Sequence, residues 1–403
     1  MNPVLPAGAR LAADPLAFCA AELAQLEAAG LRRRVRALAS ASEPEVILDG
    51  RRVLCLASNN YLGLAAHPEV VDAAAEAARR YGAGAGSARL VTGGLTLHDE
   101  LEARLAAFKG TEDAVLFSSG YLANLGTVSA LVGPGDAVFS DELNHASIID
   151  GCRLSRADVL VYRHADAGHL AERLAAWRAS AGAGRRALVV TDSVFSMDGD
   201  VAPLAAIASA CERHGAVLMV DEAHATGVVG PGGRGAVAGL GLDGRVGVVI
   251  GTLSKALGSA GGFIAGTADL CDYLRNRARS FIFDTALPPP TTAAALAALG
   301  VVEREPERPV RARRLAGRLA AGLRAAGYAV PDPAAAVLPV VVGSPAAALG
   351  LSARLLDGGV LVTAIRPPSV PEGTSRLRAT VMATHTDAEI DRAVTAFAAA
   401  RGA

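Results

Sequence analysis

The chain has 403 residues, 51% of them hydrophobic and 20% charged, and 39 Lys and Arg set against 40 Asp and Glu leave a net charge of −1. An apolar share of that size excludes a disordered chain, which cannot bury enough surface to offset its ordering entropy. A charge so close to zero excludes a broad field for nucleic acid or anionic lipid.

In chain order, Pro3, Pro6 and Asp14 interrupt the first residues, so no charged-then-apolar signal segment is expected. Leucines and alanines at helical spacing predict a helix over Phe18–Leu38, with Arg32, Arg33 and Arg34 near its end. Val46–Leu48 and Val53–Leu56 read as short strands around a turn at Asp49–Gly50. Val70–Arg80 reads as a helix, and the Gly82–Gly86 run after it as a loop. From there apolar, β-branched runs recur at Ala114–Phe117, Ala137–Phe139, Val159–Tyr162, Ala187–Thr191, Ala216–Val220 and Val246–Ile250, with Gly262–Ala265 as a further run. Most are separated by stretches of helical length, such as Leu170–Ser180 and Leu204–Arg213. That alternation predicts an α/β fold whose mostly parallel seven-stranded sheet carries helices on both faces.

After about residue 290 the pattern changes. Helical stretches at Thr292–Glu303 and Val310–Gly327 precede runs at Val337–Val342, Val360–Ala364 and Arg376–Met382, and a last helix follows. Helices and strands grouped apart predict a smaller α+β domain. The run Pro288-Pro289-Pro290 is the boundary signal, because helices rarely cross such a sequence. The expected division is 1–55, an N-terminal helix and short strands, then 56–289, a large domain, then 290–403, a small one. Apolar stretches such as Ala293–Val302 fall short of the about 20 residues that span a bilayer. The cysteines (Cys19, Cys55, Cys152, Cys211, Cys271) are scattered and never spaced C-x-x-C, so they read as free thiols of a soluble, cytoplasmic protein without a metal.

Only Lys109 and Lys255 are lysines; every other basic residue is arginine. Arginine replaces lysine as a surface charge but stays protonated and cannot serve as an amine nucleophile. A lysine retained in such a chain is a candidate for Schiff-base chemistry. Lys109 closes the stretch Leu101–Phe108 just before Gly110, where a cation favours the helix dipole and glycine caps the turn. Lys109→Ala is therefore expected to leave activity nearly intact. Lys255 lies in the glycine-rich turn Gly251–Gly262, where no such role is available.

Parallel α/β sheets bind ligands beyond the carboxyl ends of their strands. The polar residues predicted there are Ser118-Ser119-Gly120-Tyr121, Asn144-His145-Ala146-Ser147, Asp192 with the run to Asp200, Asp221 with His224, and Thr252 with Lys255. Each alone is a turn, a cap or a structural histidine as readily as a site. Together they supply an amine, a carboxylate, an aromatic base, and hydroxyl and amide donors on one sheet edge. That inventory matches pyridoxal phosphate, which needs a lysine for its aldehyde and a carboxylate for its ring nitrogen. In this reading Lys255 bonds the aldehyde and then moves the Cα proton, Asp221 keeps the ring nitrogen protonated, and His145 stacks on the ring. His224 donates to the phenolic oxygen, and Thr252 with Ser119, Gly120 and Tyr121 holds the phosphate at a helix N-terminus. A Rossmann dinucleotide site is the rival, but the Gly82–Gly86 run follows a helix rather than a strand.

The runs Ser58–Leu64, Asn144–Ser147, Val194–Asp200, Asp221–Gly227 and Thr252–Lys255 together resemble the α-oxoamine synthases. These are fold-type I pyridoxal-phosphate transferases that condense an amino acid with an acyl thioester and release carbon dioxide. The likeness runs from about Leu31 to the C-terminal helix. It implies Lys255 as the aldehyde-binding lysine and Asp221 as the ring-nitrogen partner, with Gly120, Tyr121, Ser196, His224 and Thr252 on the cofactor. It implies His145 near both cofactor and substrate, Arg32 and Ser369 on the acyl substrate, and Arg378 on the amino-acid carboxylate, with Arg376 a surface neighbour. A homodimer is implied as well, its site at the subunit interface and Thr285 reaching the partner's phosphate. Asp284 stands where relatives carry a hydroxyl residue, so it must point away if Thr285 is to serve. Within the family, Leu31–Arg34 and Val362–Pro371 are similar to the branch that joins L-alanine to a pimeloyl thioester of coenzyme A or acyl carrier protein. Glycine or serine with another acyl group is the alternative, and a non-catalytic scaffold is the rival of a different class.

Overall fold

The structure, a computed structural model, describes residues 14–182 and 184–401, so Pro3 and Pro6 lie outside the described residues. The first helix is Ala17–Ala28, shorter than the predicted Phe18–Leu38. Gly30 ends it at φ +67°, and the N–H groups of Leu31 and Arg32 both return to the carbonyl of Leu26, at 2.7 and 3.0 Å. Arg32, Arg33 and Arg34 therefore sit on irregular chain rather than on a helix. Strands β1 (Glu45–Leu48) and β2 (Arg51–Cys55) form the predicted hairpin. Its turn residues Asp49 and Gly50 both have positive φ, as the favoured two-residue hairpin turn requires.

Seven strands build the large sheet: β3 (Asp113–Phe117), β4 (Ala137–Asp141), β5 (Asp158–Tyr162), β6 (Ala187–Asp192), β7 (Val217–Asp221), β8 (Val248–Thr252) and β9 (Gly262–Gly266). Their order is β3-β9-β8-β7-β6-β4-β5, with β9 antiparallel to both its neighbours and the run from β8 to β5 parallel. Successive residues go to opposite faces. Ala137 and Phe139 join the larger core while Val138 enters the core beneath, and Val189 is divided in the same way from Leu188 and Val190. With both faces covered, these strands read as near-continuous apolar runs.

Helix Pro289–Arg304 starts at the proline run, and its Ala295, Ala298, Leu299 and Val302 pack in the larger core. A second core takes up from Leu315, within helix Glu307–Ala325. It is built on β10 (Val337–Gly343), β11 (Val360–Leu361), β12 (Thr363–Ile365), β13 (Ser375–Thr380) and helix Asp387–Arg401. β13 runs antiparallel between β10 and β12. β11 instead pairs in parallel with β2, and Leu54 and Leu56 are buried in this second core, so the N-terminal hairpin completes the C-terminal unit. No helix among the described residues is long and apolar enough to cross a membrane.

Candidate active site

Three adjacent strands deliver the chemistry. Asp192 ends β6, Asp221 ends β7 and Thr252 ends β8, and the register sets Asp192 directly beside Asp221. Beyond these ends lies a pocket of about 240 Å³. Eight residues given a role from the sequence line it: Ser119, Gly120, Tyr121, His145, Asp221, His224, Thr252 and Lys255.

Asp221 is buried and its carboxylate is held from two sides. Asn124 Nδ2 donates to Oδ2 at 2.7 Å, and the Ala223 N–H donates to Oδ1 at 2.8 Å. Lys255 reaches the pocket from the turn after β8, its Nζ 2.8 Å from His224 Nε2. Burial outweighs the attraction of Asp221 and lowers this ammonium to about 8, so the amine loses its proton close to neutral pH. His224 is pushed well below its ordinary 6.5, first by burial and then by the charges of Lys255 and Arg378, and is a neutral imidazole. His145 caps helix Ala146–Ser155. Its Nδ1 lies 2.7 Å from Ser147 Oγ, its backbone N–H donates to Asp192 Oδ2 at 2.9 Å, and burial lowers its pKa as well. Burial and the neighbouring Asp221 charge push the Asp192 carboxyl well above the usual carboxylate range.

Helix Gly120–Leu131 opens at the pocket, capped by Ser119 Oγ, which accepts from the Leu122 N–H at 3.1 Å. Its first N–H groups have no intrahelical acceptor, which is the arrangement that binds anions. The start of the helix is pressed onto the sheet: a Cβ on Gly262 of β9 would lie 2.4 Å from Gly120 N. Tyr121 stands edge-on to His145 with ring centres 6.4 Å apart, its hydroxyl donating to Asp150. Thr252 Oγ1 donates to the Gly261 carbonyl at 2.9 Å and accepts from the Ser254 N–H at 3.2 Å.

The remaining sequence candidates lie around this pocket rather than on it. Arg378, on β13, donates to Asn59 Oδ1 at 2.9 Å, to the Tyr61 hydroxyl at 3.1 Å and to the carbonyl of Ser196. Arg376, expected at the surface, is instead 4% exposed and paired with Asp198, because two residues along a strand return the side chain to the same buried face. Arg32 pairs with Glu27 at 3.2 Å. Its segment meets that of the exposed Ser369 where Arg366 donates to the Gly30 carbonyl and Arg33 to the Pro367 carbonyl. Thr285 is exposed and lines a separate small cavity with Arg89, Ser118 and Asp284. Asp284 is engaged by the Ser118 hydroxyl.

Lys109 ends helix Thr96–Lys109 just before Gly110, as expected, and is in addition buried against Glu222 at 2.7 Å. Four residues at the site have no role in the sequence reading. Tyr61 and Asn59 touch Arg378, Asn124 holds Asp221, and Asp192 flanks it. Asn124 does leave a signal, a lone amide on a helix of mostly apolar residues.

A sheet of this topology with an amine and a carboxylate at neighbouring strand ends defines a pyridoxal-phosphate enzyme of the fold-type I class. Residues 51–397 match the model of the family described as aminotransferase class I and II, and the chain belongs to that family, in its α-oxoamine synthase branch. It is 54% identical over 389 residues to the 8-amino-7-oxononanoate synthase of Anaeromyxobacter dehalogenans strain 2CP-1, covering 96% of each chain. Among solved structures, it is similar to a serine palmitoyltransferase from S. paucimobilis with PLP and myriocin bound, at a TM-score of 0.90 and 34% identity, covering 96% of this chain and 98% of that one. It is also similar to the 8-amino-7-oxononanoate synthase of Francisella tularensis, at a TM-score of 0.71 and 26% identity, covering 86% of this chain and 97% of that one.

Proposed function

We propose that the chain is an 8-amino-7-oxononanoate synthase, a pyridoxal-phosphate enzyme that condenses L-alanine with a pimeloyl thioester and releases carbon dioxide and the free thiol carrier. The observation that carries this reading is Lys255, an amine that loses its charge near neutral pH, facing one pocket with Asp221, whose carboxylate is fixed by Asn124. The donor set fits the cofactor: an amine for its aldehyde, a buried carboxylate for its ring nitrogen, and an open helix start for its phosphate. The branch is supported by 54% identity to an 8-amino-7-oxononanoate synthase, against 34% to the serine palmitoyltransferase.

Bound there, pyridoxal phosphate supplies an electron sink for the bond broken at the amino-acid Cα. The chain's own residues do the rest. Lys255 Nζ holds the aldehyde end and, when free, takes and returns the Cα proton. Asp221 holds a proton on the ring nitrogen, His145 covers the ring face, and His224 Nε2 donates to the ring oxygen. Ser119, Gly120, Tyr121 and Thr252 receive the phosphate and Ser196 contacts the cofactor, with Thr285 serving the site of the second subunit in a homodimer. Arg378 takes the alanine carboxylate with its planar fork, and Arg32 and Ser369 take the acyl substrate. The enzyme acts in the cytoplasm.

The test is a matrix of L-alanine, glycine and L-serine against pimeloyl, palmitoyl and shorter acyl thioesters of coenzyme A and of acyl carrier protein. L-Alanine with a pimeloyl thioester is expected to give the highest kcat/KM. Faster turnover of serine with a palmitoyl thioester, or no turnover with alanine, would sink the proposal.

A further inference from the structure

His164 follows β5, and the steps above give it no part. Its ring lies between two carboxylates: Nδ1 is 3.0 Å from Asp141 Oδ1 at the end of β4, and Nε2 is 2.8 Å from Asp200 Oδ2 in the loop after β6. Both Asp141 oxygens already face donors, the Leu143 N–H at 2.9 Å and the Ala165 N–H at 2.8 Å. A carboxylate only accepts, so Nδ1 donates to Asp141 and Nε2 to Asp200, and the ring is an imidazolium. The hydrogen bonds to Asp141 and then to Asp200 raise its pKa from 6.5 to about 10. The other charges nearby are satisfied among themselves. Glu142 accepts from the backbone N–H of His164 at 2.9 Å, and Arg163 pairs with Asp166 at 2.7 Å. Phe195 of the same loop packs edge-on against the ring, with centres 4.4 Å apart.

That loop closes on itself. Val194 and Val201 form a bridge, and the Phe195 N–H donates to the Asp200 carbonyl at 3.0 Å. Its base is fixed at the site, where the N–H and the hydroxyl of Ser193 both donate to the Asp221 carbonyl, at 2.8 and 2.9 Å. Its tip meets the small sheet: Asp198 pairs with Arg376, and the Ser196 carbonyl accepts from Arg378. Among the described residues the Asp200 carboxylate has His164 as its one side-chain partner, and its buried Oδ1 has none. We propose that His164, bridging Asp141 and Asp200 as a cation, is a positioning residue that holds the 193–201 loop and so aims Arg378 at the carboxylate of the amino-acid substrate. The inference rests on the role given to Arg378 above and deepens it by naming what sets that arginine's direction. Without the cation, two carboxylates on separate elements repel each other. Asp141 stays in place because β4 is hydrogen-bonded on both sides, to β5 and β6, so the loop is what moves.

The test reads both the charge and its consequence. Cofactor-loaded protein labelled with ¹⁵N-histidine is observed at about pH 8, where an ordinary histidine is neutral, and the His164 signals are assigned by their loss in His164→Gln. Both ring nitrogens of His164 are expected to carry protons. His164→Gln and Asp200→Ala each break the bridge, and each is expected to raise KM for L-alanine about 10- to 100-fold, the range for a displaced positioning group. The kcat at saturating alanine and KM for the pimeloyl thioester should stay within about threefold, a split that general loosening of the fold would not give. A bare ring nitrogen on His164, KM for alanine within about twofold of wild type in either folded variant, or an equal rise in KM for the thioester would overturn the inference. Asp200→Ala removes a partly exposed side chain, so it reads the bridge even if His164→Gln does not fold. Alanine, glycine and serine carry the same carboxylate. If another of them proves to be the substrate, the proposed function fails, while KM for that amino acid still reports on His164.

Discussion

Lys109 gives its ammonium protons to three acceptors, Glu222 Oε2 at 2.7 Å, Thr226 Oγ1 at 2.8 Å and the Arg234 carbonyl at 2.8 Å. Lys255 touches a neutral imidazole instead, and its pKa falls to about 8. One side chain type thus serves two opposite purposes, and alanine substitution separates them. Lys255→Ala is expected to abolish turnover together with any borohydride-sensitive visible absorbance; activity near wild type would refute the assignment. Lys109→Ala leaves the Glu222 carboxylate buried without its cation, and denaturant titration should show a loss of about 3–5 kcal/mol. The helix-end reading of Lys109 holds, since it is the last residue of helix Thr96–Lys109 with Gly110 in the left-handed region after it, but it missed the buried acceptors, which lie more than a hundred residues away in sequence. A third expectation follows from the lowered pKa of Lys255. Its folded value lies below the 10.5 of free lysine, so the folded state binds fewer protons between about 8 and 10.5 and cofactor-free protein gains stability as pH rises through that window. The neutral amine is the nucleophile, so cofactor uptake followed by visible absorbance should speed up about tenfold per pH unit below about 8 and level off above it. A flat rate from acid to alkaline pH would contradict this.

The start of helix Gly120–Leu131, which receives the phosphate in the proposed function, is pressed onto Gly262 of strand β9. Gly262→Ala places a methyl group 2.4 Å from Gly120 N, so the helix start must move off the sheet. Cofactor affinity measured by absorbance should fall at least tenfold, and unchanged affinity would mean the helix start does not bind the phosphate. Strands β3 to β9 were legible in the sequence because a sheet buried on both faces leaves unbroken apolar runs. Asp221 and Lys255 were legible because strand ends are the expected place for ligand chemistry. Elements and residues joined only by long-range folding left no such trace. The tie between Tyr61 and His224 crosses 163 positions, and that between Asn124 and Asp221 crosses 97. The pairing of β2 with β11 likewise joins the two ends of the chain, which no local pattern announces. The first helix was read too long because the apolar spacing continues past Gly30, where the backbone takes a positive φ.

At the scale of the whole molecule, the small sheet is tied to the pocket from outside it: Arg378 of β13 bonds the Tyr61 hydroxyl, which lies 2.7 Å from His224, while Asp221, His224 and Lys255 line the pocket from the large sheet. A ligand bound among them stabilises the entire chain by mass action, by about 2.7 kcal/mol at a hundred times its Kd. Stripping pyridoxal phosphate is expected to lower the thermal midpoint by several degrees and adding it back to restore it; an unmoved midpoint would show that the cofactor is not bound there. The placement of the two lysines has one more outcome. Since Lys109 is enclosed and Lys255 faces the pocket, no lysine ammonium stands on the exterior. Succinimidyl dyes and dialdehyde cross-linkers, which couple to primary amines, find no side chain to grip on the outside. Any label beyond the α-amine reports entry to the catalytic cleft, and a bound cofactor should shut it out.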